Sequence, residues 1–456
     1  MIRDLVLAAA ALLFAAPALA QSQQDELNAR YDRALAAGYK AMFLCSAIAN
    51  AERAGTTRAP ESVLEWELTG IQSPLDTIIT ELPAQVVRND EGLVDGVLVE
   101  WADDSPPRMA MHHVGHGCRA APIGATPASI RNVLTDPVSP GRGISAGSRK
   151  VSTQIDPRLA QAAFSTDYGE GARTTAVIVQ QDGEVVSEAF GAGFSADMPQ
   201  RTWSVAKSIA ATLIGAAVQR AEADVTASAG LGAAANDPRR AITIDHLLRM
   251  ASGRFSDTPG NRTDPLYFGG ATVEETAAAW PLIHAPGTVY RYANNDTLMA
   301  IKAIEDTFGT HPPADFFAKV GMPHTVAETD WHGDYILSSQ VWSTASDLAK
   351  LGQLYLDDGV LSDGTRILPE GWVDYVSAPS GPQPEERGIG YGAGFWLFNR
   401  NEGIPTDTFA AMGNRGQYVV IVPSRNVVIV RRGEDPVGAR FDIVAFTRDV
   451  LAALGK

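Results

Sequence analysis

Arg201-Thr202-Trp203-Ser204-Val205-Ala206-Lys207-Ser208 runs directly into an apolar stretch at 209–218, and the reading of the whole chain turns on it. If this run is helical, the Ser204 hydroxyl and the Lys207 amine, at i and i+3, share one face and can touch. A serine hydroxyl is a poor nucleophile until a base takes its proton. A lysine can be that base once desolvation has lowered its pKa. The spacing therefore suggests an active-site serine, although Ser-x-x-Lys by itself arises by chance in many chains of this length.

Two further stretches carry matching chemistry. Pro286-Gly287-Thr288-Val289-Tyr290-Arg291-Tyr292-Ala293-Asn294-Asn295 holds the one Tyr-x-Asn of the chain, at Tyr292 and Asn294. A phenol beside a lysine ammonium has its pKa pulled down, so it can pass a proton between serine, leaving group and water. An asparagine amide can orient the lysine while donating to a substrate carbonyl. Met412-Gly413-Asn414-Arg415-Gly416-Gln417 leads straight into the strand-like run 418–422. A glycine-flanked strand entry lets backbone approach a ligand closely, and its N–H groups can bind an oxyanion.

Taken together, Ser-x-x-Lys, a Tyr-x-Asn roughly ninety residues on and a glycine-bounded triplet opening a C-terminal strand resemble the penicillin-recognising serine hydrolases. Residues from about 165 to 450 are similar to the branch related to class C β-lactamases. That branch includes family VIII-like esterases and nylon-oligomer (6-aminohexanoate-dimer) hydrolases. Ile242-Thr243-Ile244-Asp245-His246-Leu247-Leu248-Arg249-Met250-Ala251-Ser252-Gly253 resembles the family's ITIxxLLxHTSG segment, and Trp342-Ser343-Thr344-Ala345-Ser346-Asp347-Leu348-Ala349 its ST-x-x-DLAK helix start. The resemblance implies that Ser204 is acylated, that Lys207 and Tyr292 activate it and later protonate the leaving group, and that Asn294 holds lysine and substrate amide. It also implies an oxyanion hole made by the N–H groups of Ser204 and Gln417. The chain departs from the family at the third motif. Where Lys-Thr-Gly or His-x-Gly is usual, it has Asn414-Arg415-Gly416, which weakens the case for β-lactams unless Arg415 supplies the charge from the next position. No Glu-x-x-Leu-Asn segment of the class A kind is present, so deacylation falls to the Tyr292 and Lys207 side.

At 456 residues, 45% hydrophobic and 20% charged, the chain can bury one or two substantial cores. Met1-Ile2-Arg3, an apolar stretch at 5–16 and Ala18-Leu19-Ala20 before Gln21 form the pattern of a secretory signal cut after Ala20. Export across the inner membrane to the periplasm is expected, with no stable membrane insertion after cleavage. A net charge of −16 argues against nucleic acid or an anionic membrane surface as partner. The expected partner is a small ester or amide, with no cofactor and no metal. Cys45 and Cys118 are the only cysteines. In an exported protein they favour a disulfide over a metal site built from His112, His113, His116 and Cys118, whose spacing fits no standard zinc pattern.

Residues 25–55 read as an amphipathic helix through Leu27, Tyr31, Leu35 and Tyr39. Strand-like runs follow at 84–88, 94–101 and 109–113, then a Ser/Pro/Gly-rich linker at 138–150. Beyond it come strands at 174–180 and 185–190, a mostly helical middle from about 209 to 355, strands at 392–398, 417–422 and 426–431, and a closing helix at 441–454. This gives a signal peptide at 1–20, an N-terminal helix and small β region at 21–150, and a hydrolase domain at 151–456. Strands at both ends with helices between them predict an α+β fold, an antiparallel sheet flanked by helices, of the β-lactamase/transpeptidase type. Gly143-Ile144-Ser145-Ala146-Gly147 matches a nucleophile elbow, but the strand and helix such an elbow needs are missing around it. His246 and His284 read as packed or hydrogen-bonded residues rather than bases. The expected function is an exported serine hydrolase acting on esters or linear amides. The alternatives are a weakly active or non-catalytic binder of peptidoglycan fragments, a D-alanyl-D-alanine peptidase or a β-lactamase.

Overall fold

The computed structural model describes residues 2–130, 151–152, 156–256, 263–385 and 388–455. The expected linker at 138–150, with Ser145 inside it, lies outside them.

The central element is a seven-stranded antiparallel sheet. Its strands are β5 (Thr174–Gln181) and β6 (Glu184–Phe190), with β10 (Gly390–Tyr391), β11 (Trp396–Leu397), β12 (Phe409–Gly413), β13 (Gln417–Val422) and β14 (Val427–Gly433) from the far end of the chain. They lie in the order β10-β11-β12-β13-β14-β5-β6, so β14 pairs with β5 across most of the sequence. The β5–β6 hairpin turns at Asp182 and Gly183, both with positive φ (50° and 80°), the hand that a two-residue turn needs to follow the strand twist. Alternate residues face opposite layers, as a strand period of two requires. Ile178, Val419, Ile421, Val428 and Val430 pack with Leu348 and Leu351, while Val179, Val420, Val422 and Ile429 pack with Phe446 and Val450. Of the expected strand at 392–398 only Trp396–Leu397 forms, pairing with Gly390–Tyr391 just before it. Between them Gly394 (φ 81°) turns the chain against the carbonyl of Lys207, where a side chain would crowd Ala211.

A four-stranded meander, β1 (Ala84–Arg88), β2 (Val94–Val99), β3 (Arg108–His113) and β4 (Gly117–Ala120), forms a separate sheet. A third sheet is small, with β7 (Gln200–Arg201), β9 (Val341–Ser343) and β8 (Val326–Ala327) in that order. Between the meander and the rest runs α1 (Ile2–Arg53). The amphipathic reading of this helix needs correction. Leu27 and Tyr31 are exposed (61% and 43%), whereas residues 34–51 are buried almost all round. The reason is that α1 is covered on two sides. One face meets β2, β3 and β4, and on the other Phe43 packs on Trp203, Phe268 and Trp342. By length and composition the helix could cross a membrane, yet its apolar window is wholly buried in the protein.

The Cys45–Cys118 disulfide ties α1 to β4. Next to it the buried Glu328 carboxylate accepts from Ser46 Oγ (2.6 Å), Cys118 N (3.0 Å) and Trp342 Nε1 (3.2 Å). Burial pushes the Glu328 carboxyl up to about 7 against the pull of these donors. The segment before residue 130 and the large sheet therefore share one hydrophobic core. Changing both cysteines to serine is expected to lower the unfolding free energy by about 4 kcal/mol, the chain-entropy value for a loop of this length. A lowered denaturant midpoint is the readout, and an unchanged midpoint would show that packing alone holds α1.

Candidate active site

The nucleophile candidate is placed by a strained turn. β7 pairs with β9 through Gln200–Ser343 and Arg201–Trp342, and Thr202 N donates to Val341 O (2.8 Å). Trp203 then takes a left-handed conformation (φ 49°), rare for a bulky residue. Ser204 follows as the cap residue of α2 (Val205–Gln219), which is buried from Val205 through Ala217. What holds the strained residue is Arg201. Its guanidinium lies 3.9 Å from the Trp203 ring centre and 5.1 Å from those of Phe43 and Tyr267. It also donates to Ser339 Oγ (2.9 Å). Trp203 is thus a packing residue of the core behind Ser204.

Lys207 sits one turn into α2 and is 1% exposed. Its Nζ lies 3.2 Å from Ser204 Oγ, 2.5 Å from Asn294 Oδ1 and 2.9 Å from the Ser338 carbonyl oxygen. Burial alone brings the amine down to about 7. A neutral amine has two N–H bonds and one lone pair. With two carbonyl oxygens accepting the N–H bonds, the lone pair is left for the Ser204 hydroxyl. That is the arrangement a general base requires.

Asn294 opens α4 (Asn294–Lys302), which follows α3 (Asp264–Tyr267) along the chain. Its Nδ2 donates to Thr263 Oγ1 (2.8 Å), which orients the amide so that Oδ1 faces the lysine. Tyr292 stands half-buried with its ring centre 5.0 Å from Lys207 Nζ. Tyr391 and Trp396 flank it, at 6.1 and 5.3 Å between ring centres. Ser204, Lys207, Tyr292 and Asn294 therefore come together. His246 lies elsewhere, accepting from Thr243 N (3.2 Å) in a capping box, as the sequence suggested.

The third motif is arranged differently from its reading in the sequence. Asn414-Arg415-Gly416 is the three-residue turn of the β12–β13 hairpin, closed by the Gly413–Gln417 pair, with Arg415 and Gly416 both at positive φ. The residue pressed against Ser204 is Gly413. A Cβ there would run into the Thr202 carbonyl and lie 3.1 Å from Ser204 N. Gln417 stands across the ladder from Gly413, and its side chain bonds Arg432 Nε (2.6 Å) and the Gly433 carbonyl. Arg415 is buried, not aimed at a substrate. It pairs with Glu434 (2.6 Å) and donates to the carbonyls of Trp66 (2.8 Å) and Thr69 (2.9 Å). Only Asn414 of the triplet is exposed.

Three residues at the site were missed in the sequence. Ser338 contributes a carbonyl, and a backbone acceptor leaves no trace in residue type. Thr263 and Tyr267 lie in Thr263-Asp264-Pro265-Leu266-Tyr267-Phe268, which reads only as a loop and a short turn. Cys118 is bonded to Cys45 and so cannot be a metal ligand. Among the described residues no group of three or more His, Cys, Asp or Glu side chains could hold a metal ion.

Solved structures share this architecture. One is a candidate 6-aminohexanoate-dimer hydrolase from Bacillus anthracis (19% identity, TM-score 0.55), covering 69% of this chain and 88% of that one. Another is a candidate beta-lactamase from Bacteroides dorei DSM 17855 (19%, TM-score 0.53), covering 65% and 96%. A class C beta-lactamase mutant (13%, TM-score 0.50) covers 67% and 100%. At these identities the likeness speaks to the fold. No curated protein matches the sequence. The chain belongs to the beta-lactamase family of serine hydrolases, whose sequence model matches residues 159–453.

Proposed function

We propose that the protein is an exported serine hydrolase that cleaves a carboxylic ester or linear amide through an acyl-enzyme on Ser204. The observation that carries this reading is the buried, depressed Lys207 with its lone pair left for Ser204 Oγ. In the first step Lys207 takes the hydroxyl proton as Oγ bonds to the substrate carbonyl carbon, and the C=O electron pair moves to oxygen. The N–H of Ser204 and the backbone where β12 ends, at Gly413–Asn414, receive that oxyanion. Gly413 supports this placement, because its lack of a side chain is what lets the strand lie against Ser204. The intermediate collapses, and the leaving alkoxide or amine takes the proton from the Lys207 ammonium by way of the Tyr292 phenol. A water then attacks the acyl carbonyl while the same pair accepts its proton, releasing the carboxylic acid and restoring Ser204. This chemistry asks for no metal or cofactor.

Substrates without a carboxylate fit best. Asn414 is neutral and Arg415 is turned inward to Glu434, so the hairpin offers no cation to a β-lactam carboxylate. The disulfide and the apolar N-terminal helix support passage to an oxidising compartment, the periplasm. Intact mass spectrometry after brief exposure to p-nitrophenyl acetate or a fluorophosphonate tests the reading. One adduct mapping to the Ser204 peptide is expected, with ester turnover well above nitrocefin turnover. No adduct would sink the hydrolase reading, and comparable nitrocefin turnover would reverse the substrate class.

A further inference from the structure

We infer that Tyr267 is a positioning residue for Lys207, acting through Ser338; this rests on the acyl-enzyme reading above. The observation is a closed ring of contacts behind the lysine. Lys207 Nζ donates to Asn294 Oδ1, and Asn294 Nδ2 donates to Thr263 Oγ1 (2.8 Å). Thr263 is the cap residue before α3 and Tyr267 is the last residue of α3. Tyr267 Oη lies 2.8 Å from Ser338 Oγ, and the Ser338 carbonyl accepts from Lys207 (2.9 Å), which closes the ring. One short helix and its cap residue thus grip both acceptors that engage the amine.

The consequence for the reaction follows from the valence of nitrogen. The lone pair of neutral Lys207 points at Ser204 Oγ only while both N–H bonds are held elsewhere. Asn294 is anchored in α4, but Ser338 lies in a turn that Tyr267 holds from behind. The Tyr267 carbonyl also accepts, at 3.4 Å, from Gln340 Nε2 in the same turn. Without the phenol hydroxyl the Ser338 carbonyl can swing, and the amine can rotate its lone pair away from the serine. Tyr267 is 5% exposed, so its influence passes through Ser338 rather than through substrate.

α3 is itself held by the N-terminal segment. The carbonyl of Phe268, next to Tyr267, accepts from Arg108 Nη2 (2.7 Å), while Arg108 Nη1 donates to Ala121 O (3.1 Å). The Phe268 ring packs on Tyr39 of α1 at 4.2 Å between centres. Gly38 lies under the Phe268 carbonyl, where any Cβ would collide with the oxygen. A helix and a β-meander outside the residues matched by the family model thereby bear on the geometry of the catalytic lysine.

The test is pre-steady-state acylation of the full-length mature protein by p-nitrophenyl acetate, comparing wild type, Tyr267→Phe, Thr263→Val and the double variant. Tyr267→Phe is expected to slow acylation about tenfold, the worth of one net hydrogen bond, with the substrate dissociation constant unchanged. The double variant is expected to be no slower than the slower single one, because either substitution opens the same ring. Acylation of Tyr267→Phe at the wild-type rate overturns the inference, as does a weakened dissociation constant at an unchanged rate. Should Tyr267→Phe melt non-cooperatively, Ser338→Ala removes the same bond from the other side while keeping the carbonyl, and the same slowing is expected. Wild type that forms no Ser204 adduct overturns the hydrolase reading itself, and this inference with it.

Discussion

Ser204→Ala is expected to lower kcat for an activated ester by about 10⁴-fold or more, the scale of losing the nucleophile in enzymes of this mechanism. The hydroxyl is the group aligned with the amine, at 3.2 Å from Lys207 Nζ. The substitution should leave the fold intact. Ser204 makes no side-chain cap bond to α2, so alanine removes a functional contact and not a structural one. A melting temperature close to wild type, measured beside the lost turnover, separates the loss of chemistry from unfolding. Retention of full esterase activity would place the nucleophile elsewhere.

The second large effect concerns Lys207 and pH. Because burial holds the amine at about 7, kcat/KM for an ester should rise through that pH and level off above it. An acid limb near 10 instead would mark Lys207 as an ordinary ammonium. The same shift makes a stability prediction. The folded-state pKa lies below the unfolded value of about 10.4, so between these pH values the unfolded chain binds more protons. Stability contributed by this site therefore rises with pH across that window and is lowest at and below pH 7. Lys207→Met should abolish turnover and remove this dependence. The stability difference between the two proteins should move in favour of wild type by several kcal/mol from pH 7 to pH 10. Denaturant titrations at the two pH values check it, and parallel curves would contradict it.

The sequence announces the Ser204–Lys207 pair more clearly than its surroundings. Ser204 and Lys207 were readable because helical spacing alone puts their side chains within reach. Asn294 was readable because one Tyr-x-Asn occurs in the chain. The third motif was harder to place because Gly413 and Gly416 bracket Asn414-Arg415, and the sequence does not say which one touches Ser204. That is settled by hairpin register, where Gly413 opposite Gln417 makes residues 414–416 the turn. Strands β5, β6, β13 and β14 were recoverable from their apolar runs, whereas β12 (Phe409–Gly413) was missed and the expected strand at 392–398 forms only over Trp396–Leu397. The packing of α1 was not recoverable. A helix reads as amphipathic when one side is assumed wet, and the partners that dry the other side of residues 34–51 lie far along the chain. Tyr267 and Thr263 act through neighbours that no local pattern links to them.

The double-sided burial of α1 has a cost in time. Ser46 finds Glu328 282 residues later, and Arg108 finds the Phe268 carbonyl 160 residues later. During synthesis the helix and its meander exist long before the surfaces that cover them, so an apolar rod must be kept from aggregating while it waits. On the acyl-enzyme reading proposed above, Lys207 is aligned only once that early segment has docked, so hydrolytic activity is expected to be a late event of folding and a chain with α1 out of place is expected to be inert.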